Sequence, residues 1–321
     1  MASKLIDNAF TATQALGAAS DPTYAGIPSF MRRKLTKTPT GADVTVWGIP
    51  FDASVSNRPG TRFGPSALRR ASQIFDNDPQ YPFHRDLFEA LSVVDYGDCL
   101  LDYRTPETAH ETMRAEAAEL LSQTGFLLTL GGDHSITWPL LQAHAAQHGP
   151  LSLVHFDAHQ DTWPLAHSAA GERVDHGSFL TAAVKHGLVD VETSIQIGIR
   201  THAPETLGLE IIHGNEVEDL TAAALAERII ARTGGRKVYL TFDIDCLDVA
   251  FAPGTGTPVA GGPSSAKMLS VLHKLKHLPI VGADVVEVSP PFDHADITAV
   301  AGATVALYVL GILAEQKAGQ R

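Results

Sequence analysis

Short apolar runs separated by amphipathic stretches are the feature that most constrains how this 321-residue chain folds. Eight runs have the length of β-strands and are almost entirely apolar, at residues 44–50, 91–97, 125–132, 151–159, 193–199, 207–212, 237–245 and 279–288. Strands without polar alternation are typical of sheets covered on both faces. Amphipathic stretches between many of them predict helices, at residues 106–122, 137–148, 221–233 and 264–277. Strands joined through helices indicate an α/β fold with a mostly parallel sheet.

The domain organisation is predicted to be simple. No repeat, low-complexity tract or linker divides residues 41–321, which we interpret as one catalytic domain. Residues 1–40 are predicted to form an N-terminal extension that wraps the domain or serves an oligomer contact. Residues 297–313 form the most apolar segment. This segment is shorter than a membrane span and contains Ala and Gly suited to close packing, so it is predicted to be a buried C-terminal helix.

Net charge and cysteine content restrict the classes of partner and the cellular compartment that we expect for this protein. The net charge of −12 argues against nucleic acid or an anionic membrane as a partner, because both require basic surfaces. The two cysteines, Cys99 and Cys246, lie far apart in the sequence and outside any Cys-x-x-Cys motif. Reduced, buried thiols are therefore expected, in keeping with a cytoplasmic protein. The first residues lack an apolar run long enough for a signal peptide.

Acidic and imidazole side chains collect where four of the predicted strands end. They are Asp133 and His134, then Asp157, His159 and Asp161, then Asp243, Asp245 and Asp248, and finally Glu287. In open parallel sheets, ligand sites lie at the carboxyl ends of the strands. Side chains two residues apart on a strand share a face, roughly 6.5–7 Å from each other. Two such pairs on neighbouring strands would converge on one site.

A metal centre explains this arrangement better than separate structural roles do. A lone Asp at a strand end usually caps a helix or serves a turn, and this interpretation is kept for Asp248. Four carboxylates and two imidazoles placed together would repel and desolvate one another without a cation. An oxygen-rich ligand set favours Mn²⁺ over Zn²⁺. Six side chains are many for one ion and suit two ions, about 3.5–4 Å apart.

The charge of such a centre predicts the charge of its substrate. Two divalent ions would balance four carboxylates, and a bridging hydroxide and Glu287 would then make the site negative. A phosphate ester would be poorly accepted, whereas a cationic substrate would be favoured.

Three motifs carry a resemblance to a known family: GGDHS at 131–135, FDAHQD at 156–161 and TFDIDCLDVAFAPGTGTP at 241–258. Together with their order, they make the chain resemble the ureohydrolase family of arginases and agmatinases over essentially its whole length. The segments FAPGTGTPVAGG and YAGIPSFMR resemble the agmatinase branch.

The resemblance implies a three-layer α/β/α fold around an eight-stranded, mostly parallel sheet. It implies a hydrolase of linear amidines that uses two Mn²⁺ ions and a metal-bridging hydroxide to release urea and an amine. By position, His134 and Asp161 would bind one ion, His159 and Asp245 the other, and Asp157 and Asp243 both. Glu287 would pair with the guanidinium group, and His176 would shuttle a proton to the leaving amine. A homotrimer or homohexamer is also implied.

The sequence does not decide the chemical identity of the substrate's tail. Trp163 stands where arginases commonly have a polar residue, which fits agmatine as the substrate, putrescine as the product and a contact between the ring and the tail. Gln160 and the long loop 161–176 depart from the usual pattern. Arg173 in that loop is more simply a solvated residue, but it could meet a carboxylate in guanidinobutyrate or guanidinopropionate. A Zn²⁺-dependent amide deacetylase and a subunit without turnover are further alternatives.

Overall fold

A computed structural model describes residues 7–17, 21–75, 79–168 and 171–319. Within these ranges there are eleven β-strands, of which nine form one sheet. Their bounds are β1 (Lys34–Leu35), β2 (Val44–Gly48), β3 (Val93–Asp98), β4 (Leu127–Leu130), β5 (Ser152–Phe156), β6 (Ala166–Ser168), β7 (Gly171–Arg173), β8 (Ile195–Ile199), β9 (Glu210–His213), β10 (Val238–Asp243) and β11 (Ile280–Val286). All eight predicted strands are present; each is shorter than predicted, although β3 and β9 end one residue later than predicted.

The large sheet is parallel throughout, in the order β1-β3-β2-β4-β11-β10-β5-β8-β9. The α/β class and the parallel sheet are thus confirmed. The order is not that of the chain: β10 and β11 lie between β4 and β5. The carboxyl ends of four strands that carry predicted site residues therefore meet at one edge of the sheet.

The predicted count of eight strands in this sheet is wrong by one. The additional strand, β1, has only two residues and pairs with β3 through Lys34 and Val94. A two-residue strand is too short to show a hydrophobic period, so no pattern in the sequence indicates it. The division into an extension, 1–40, and a domain, 41–321, stays a prediction, and residues 1–6 and 18–20 lie outside the described part.

Ten α-helices accompany the sheet in the described residues. They are α1 (Asn8–Thr11), α2 (Gly64–Ala71), α3 (Leu87–Ala90), α4 (Ala109–Leu121), α5 (Thr137–His148), α6 (Phe179–Lys185), α7 (Gly214–Asp219), α8 (Ala222–Thr233), α9 (Ser265–Lys274) and α10 (Ile297–Gly319). One apolar cluster joins α2, α8, α9 and α10 to the sheet, and a second joins α4, α5 and α6 to it. The result is the three-layer α/β/α arrangement, with a core on each face of the sheet.

Local capping explains where several helices begin. The Thr221 side chain accepts a hydrogen bond from the Ala224 N–H at the start of α8, and Ser264 accepts one from the Lys267 N–H at the start of α9. Helix α8 ends at Gly234, whose φ of 57° lies in the left-handed region that favours glycine. Both helices therefore begin within one residue of their predicted starts.

Helix α10 is the predicted buried C-terminal helix, and it continues to Gly319. It is long and apolar enough to cross a membrane by length and composition alone, but 72% of its apolar window is buried within the fold. The Asp293 carboxylate accepts the Thr298 and Ala299 N–H groups at its first turn, at 2.9 and 3.0 Å. The apolar surface of α10 therefore forms core.

Candidate metal centre

Four neighbouring strand ends bring the predicted ligands together. His134 lies in a short 3₁₀ turn directly after β4, and the Asp133 carboxylate caps this turn by accepting the Ser135 N–H. Asp157 follows β5, and Asp243 is the last residue of β10. All four residues are buried. Because parallel strands end at one edge of the sheet, residues more than 100 positions apart in sequence become direct neighbours.

One half of the centre surrounds the His134 ring. Its Nδ1 atom lies 3.0 Å from Asp157 Oδ2, 3.0 Å from Asp161 Oδ2 and 3.2 Å from Asp243 Oδ2. Although this nitrogen is buried, it makes no hydrogen bond within the described part of the chain. A ring nitrogen that faces three carboxylate oxygens is suited to share a cation with them. His134, Asp157 and Asp161, together with His155, thus form a set that could hold a metal ion.

The other half of the centre surrounds His159. Its Nδ1 atom lies 3.4 Å from Asp157 Oδ1 and 3.1 Å from Asp245 Oδ2, and these three residues form a second set of potential metal ligands. Asp157 belongs to both sets and presents a different oxygen to each. This geometry is what a bridging carboxylate requires.

Asp243, the other predicted bridge, contributes to one half in this structure. Its Oδ2 atom faces His134, while its Oδ1 atom accepts the Asp245 N–H at 2.8 Å. A second contact from Asp243 to the His159 half stays a prediction.

Burial and mutual repulsion control the protonation of this centre. Burial, with the charges of Asp245 and Asp157, raises the pKa of Asp243 well above its usual range. Burial and the Asp157 charge also raise the pKa of Asp161. Burial alone would lower the pKa of His134, but the surrounding carboxylates raise it well above its usual range. Each shift shows that these carboxylates need nearby positive charge. The donor set therefore fits a metal cation.

His176 and Glu287 form a hydrogen-bonded pair beside the centre. His176 Nδ1 lies 3.0 Å from Glu287 Oε1, which also accepts the His134 N–H at 2.9 Å. His176 Nε2 lies 2.9 Å from the Ser56 backbone nitrogen and 2.7 Å from its hydroxyl. A neutral ring accepts from the N–H, and a protonated ring donates to the hydroxyl. Burial lowers the pKa of His176, but the Glu287 carboxylate has the larger, opposite effect, so the pKa is raised to about 9.

Two site residues have strained backbones. Asp161 has φ of 51° and Glu287 has φ of 63°, in the left-handed region that residues other than glycine rarely adopt. Such conformations persist where the surroundings impose them, and they cluster at functional sites. The strain is consistent with side chains that are held for a purpose other than local stability.

A cavity of about 300 Å³ opens over the centre. Its lining comprises ligand residues and several loop residues: Ser56, His134, His159, Asp161, Trp163, Asp175, His176, Gly177, Asp243 and Thr257. The Trp163 ring stands 6.5 Å from the His159 ring, centroid to centroid. Glu287 is not part of this lining. Its Oε1 atom contacts His176, and its Oε2 atom is buried without a hydrogen bond in the described structure.

The loop between Asp161 and His176 contains an antiparallel hairpin, β6–β7, which the sequence pattern does not indicate. Arg173, at the end of β7, is exposed and lines neighbouring cavities rather than the one over the centre. Gln160 points away from the cavity: its Oε1 atom accepts the Ala203 N–H at 2.6 Å. Gln160, which departs from the usual pattern of the family, therefore holds the neighbouring loop at Ala203 and does not form part of the cavity wall.

Two further polar residues near the centre, Asp248 and Arg200, have structural roles. Asp248 accepts the N–H groups of Ala250, Gly261 and Gly262, so the turn interpretation is confirmed. Arg200 donates to five backbone carbonyls, those of Gly198, Asp245, Cys246, Leu247 and Val259. Its guanidinium fastens the segment that carries Asp245.

Sequence reasoning missed several polar residues that contact the ligands from beneath. Thr241 Oγ1 lies 2.8 Å from His134 Nε2, and Asp284 accepts the Thr241 hydroxyl at 2.5 Å. His155 also contacts a ligand, since its Nε2 atom lies 2.7 Å from Asp157 Oδ2. The available signal was a polar residue within an otherwise apolar strand.

The α/β/α fold and a site that could bind a metal are those of a hydrolase of the ureohydrolase class. The arginase family model matches residues 42–311, and the chain belongs to this family. An agmatinase of Chromobacterium violaceum is 45% identical over 302 residues, covering 94% of this chain and 93% of that protein.

Solved structures agree with this assignment. The crystal structure of a hypothetical agmatinase from Burkholderia thailandensis is 46% identical, has a TM-score of 0.94, and covers 98% of both chains. The proclavaminate amidino hydrolase of Streptomyces clavuligerus is 38% identical, has a TM-score of 0.87, and covers 92% of this chain and 99% of its own.

Proposed function

We propose that this protein is an agmatinase, which hydrolyses agmatine to putrescine and urea. The observation that carries the proposal is the acidic cavity over two ligand sets that share Asp157. The relatives support it, since proteins named agmatinase are 45% identical over at least 90% of this chain.

The cavity is suited to a substrate that is positively charged at both ends. Bound ions would balance the charges of Asp161 and Asp243 in its lining, which leaves the carboxylate of Asp175, and none of its described lining residues is Lys or Arg. A guanidinium and a terminal ammonium would both meet favourable charge there. The half-buried Trp163 ring offers a flat apolar surface to the aliphatic chain between them. The predicted contact between Trp163 and the substrate is part of this proposal.

We infer two Mn²⁺ ions as the cofactor. The predicted ligands, four carboxylates and two imidazoles without a thiol, form a hard ligand set. Two sets of potential ligands that share Asp157 provide for two ions. His134 and Asp161 would hold one ion, His159 and Asp245 the other, with Asp157 and Asp243 between them. When bound, the pair of ions would supply a hydroxide nucleophile at neutral pH.

The chain's own residues would orient the substrate and move a proton. Glu287 lies outside the cavity lining, but its Oε2 atom is buried without a hydrogen-bond partner in the described structure, and a guanidinium that reached this oxygen would satisfy it. His176 lines the cavity, and with a pKa of about 9 it carries a proton at neutral pH. It can therefore donate that proton to the leaving amine. The Glu287 bond to its Nδ1 holds the ring in place for this transfer.

A guanidino acid such as guanidinobutyrate is the second candidate substrate. Arg173 lines a cavity of about 330 Å³ that shares Ser56 and Asp175 with the one over the centre. A longer substrate with a terminal carboxylate could extend toward this guanidinium. The placement of Asp175 between the two cavities disfavours a carboxylate on that route.

A urea-release assay on the Mn²⁺-loaded enzyme tests the proposal. Agmatine, arginine, guanidinobutyrate and guanidinopropionate are compared by kcat/KM. We expect agmatine to be preferred, and Arg173→Ala to change its kcat/KM by less than about twofold. The exposed Arg104, which pairs with Asp102, provides a matched Arg→Ala control. Preference for a guanidino acid, abolished by Arg173→Ala but not by Arg104→Ala, would replace agmatine by the second candidate.

We further propose a cytoplasmic homotrimer or homohexamer that acts on a small molecule and binds neither nucleic acid nor membrane. The support is the family resemblance, the net charge of −12 and the free, buried thiols of Cys99 and Cys246. Sedimentation equilibrium of the Mn²⁺-loaded protein tests the oligomeric state, and a monomer would contradict it.

A further inference from the structure

A row of polar side chains crosses the sheet one layer beneath the metal ligands. Its members are register partners on five adjacent strands: Thr129 on β4, Asp284 on β11, Thr241 on β10, His155 on β5 and Gln196 on β8. All five are completely buried. We call this set the polar row. Polar groups in a sheet interior cost stability unless they are hydrogen-bonded, so the row calls for a specific explanation.

The row lies on the same face of the sheet as the ligands. His155 precedes Asp157 by two residues, and Thr241 precedes Asp243 by two, so each pair shares a face of its strand. Both residues contact ligands: His155 contacts Asp157, and Thr241 contacts His134.

Hydrogen bonds run from Gln196 through His155 to Asp157, and only one placement of the protons satisfies all of them. Gln196 Nε2 lies 2.7 Å from the Gln160 carbonyl oxygen and 2.9 Å from His155 Nδ1. A carbonyl can only accept, so the amide nitrogen must face it. The second amide proton then points to His155 Nδ1, which must accept. The proton of the neutral His155 ring is thereby assigned to Nε2, where it is donated to Asp157 Oδ2 at 2.7 Å.

The hydrogen bonds that run from Asp284 through Thr241 to His134 also allow only one placement of the protons. The Asp284 carboxylate accepts hydroxyl protons from Thr137 and Tyr239 at one oxygen and from Thr241 at the other. Thr241 has one hydroxyl proton and gives it to Asp284. Its oxygen must therefore accept from His134 Nε2, at 2.8 Å. A neutral His134 ring then has no proton on Nδ1, the atom that faces the three carboxylates.

We propose that the polar row selects the tautomers of His134 and His155, with Asp284 and Gln196 as positioning residues that set the affinity for the metal. The proposal rests on the proposed dinuclear Mn²⁺ centre. Asp284 touches no ligand and acts through Thr241, and Gln196 acts through His155. The row thereby exposes the His134 Nδ1 lone pair to the ion and holds Asp157 in its bridging orientation.

Asp284→Asn is the most direct test, because it preserves the shape of the side chain and reverses the two hydrogen bonds that link residue 284 through Thr241 to His134. The Asn oxygen continues to accept from Thr137 and Tyr239, so its amino group faces Thr241. Thr241 then accepts from Asn and donates to His134 Nε2, which moves the ring proton to Nδ1. We expect the Kd for Mn²⁺, measured by calorimetry on protein freed of metal, to rise about 10- to 100-fold. The melting temperature of the metal-free protein should change little.

A pair of Thr→Val substitutions separates the tautomer effect from packing. Thr241→Val removes the hydroxyl that contacts His134 and should weaken Mn²⁺ binding, whereas Thr241→Ser should retain it. Thr129→Val makes the same change in the same row, where the hydroxyl has no hydrogen-bond partner in the described structure. Thr129→Val should leave the Kd unchanged. Gln196→Glu, which puts an acceptor opposite His155 Nδ1, should also weaken binding.

The outcomes are distinguishable. Wild-type protein that binds no Mn²⁺ would contradict the proposed centre itself. Wild-type binding with an unchanged Kd in Asp284→Asn and Thr241→Val would overturn the role of the row. Equal losses in Thr129→Val and Thr241→Val would also overturn it, because they would show a packing effect. If Asp284→Asn does not fold, the Thr241→Val and Thr241→Ser pair decides.

Discussion

At the scale of single residues, the centre depends on which atom each side chain presents. Asp157 directs one oxygen to the His134 half and the other to the His159 half. His176 presents Nδ1 to Glu287 and Nε2 to Ser56. The residue types were visible in the sequence, but these atom assignments depend on contacts between distant segments. The chemistry therefore follows from tertiary contacts acting on residues that local sequence had already placed at strand ends.

The raised pKa of His176 predicts a pH-dependent contribution to stability. Its folded pKa is about 9 against an ordinary value near 6.5, because the Glu287 carboxylate outweighs the effect of burial. Protonated His176 thus stabilises the fold fully below about pH 6.5, and this contribution is lost as the pH rises through 9. Chemical denaturation of metal-free wild type and His176→Asn, from pH 6 to 10, measures it.

We expect the difference in unfolding free energy between wild type and His176→Asn to shrink across that range. His294→Asn, at an exposed position, is the matched control and should show a constant difference. A wild-type advantage that is equal at pH 6 and pH 10 would show that the His176–Glu287 pair does not hold a proton preferentially in the folded state.

At the scale of elements, helix α10 has the most demanding packing. Gly311 lies against the Phe83 ring, and a Cβ atom at this position would overlap that ring. Phe83 is held by edge contacts with Tyr308 and His273, at centroid distances of 5.4 and 5.2 Å. The ring has little freedom to move aside. The close approach explains why a residue with low helix propensity occupies a helix interior.

Gly311→Ala is therefore expected to destabilise the protein. Overpacking a core costs about 1–3 kcal/mol, which exceeds the gain of up to about 1 kcal/mol from replacing helical Gly by Ala. Urea denaturation followed by circular dichroism measures the net change. Gly319→Ala, at the exposed end of the same helix with no atom close to the added Cβ, provides the control and should be nearly neutral. Stabilisation by Gly311→Ala would mean that Phe83 can move.

At the scale of the whole molecule, the centre joins segments that lie far apart in the sequence. Its residues come from segments around positions 134, 157 and 243, and the strands that precede them, β4, β5 and β10, lie within four consecutive strands of the sheet, with β11 between β4 and β10. Only the folded chain presents the two ligand sets. Metal binding should thus stabilise the fold as a whole.

Adding Mn²⁺ to metal-free protein is expected to raise its melting temperature. Free ion at 100 times its Kd stabilises by about 2.7 kcal/mol per site, which corresponds to about 5–10 °C at roughly 2–4 °C per kcal/mol. Asp157→Ala should abolish most of this shift and the release of urea, because it removes the oxygens shared by both ligand sets. Differential scanning calorimetry with and without Mn²⁺ measures it. Asp102→Ala, a change at an exposed ion pair, should retain the full shift.

The sequence by itself determined the α/β class and eight of the nine sheet strands, and it predicted most of the residues in the two sets that could hold a metal. These follow from local signals, since hydrophobic period and strand-end chemistry are properties of neighbouring residues. The tertiary structure alone decided the insertion of β10 and β11 between β4 and β5, the turn of Gln160 away from the cavity and the polar row beneath the ligands. Strand order, cavity walls and hydrogen-bond partners depend on packing between residues far apart in the chain, which no local period encodes.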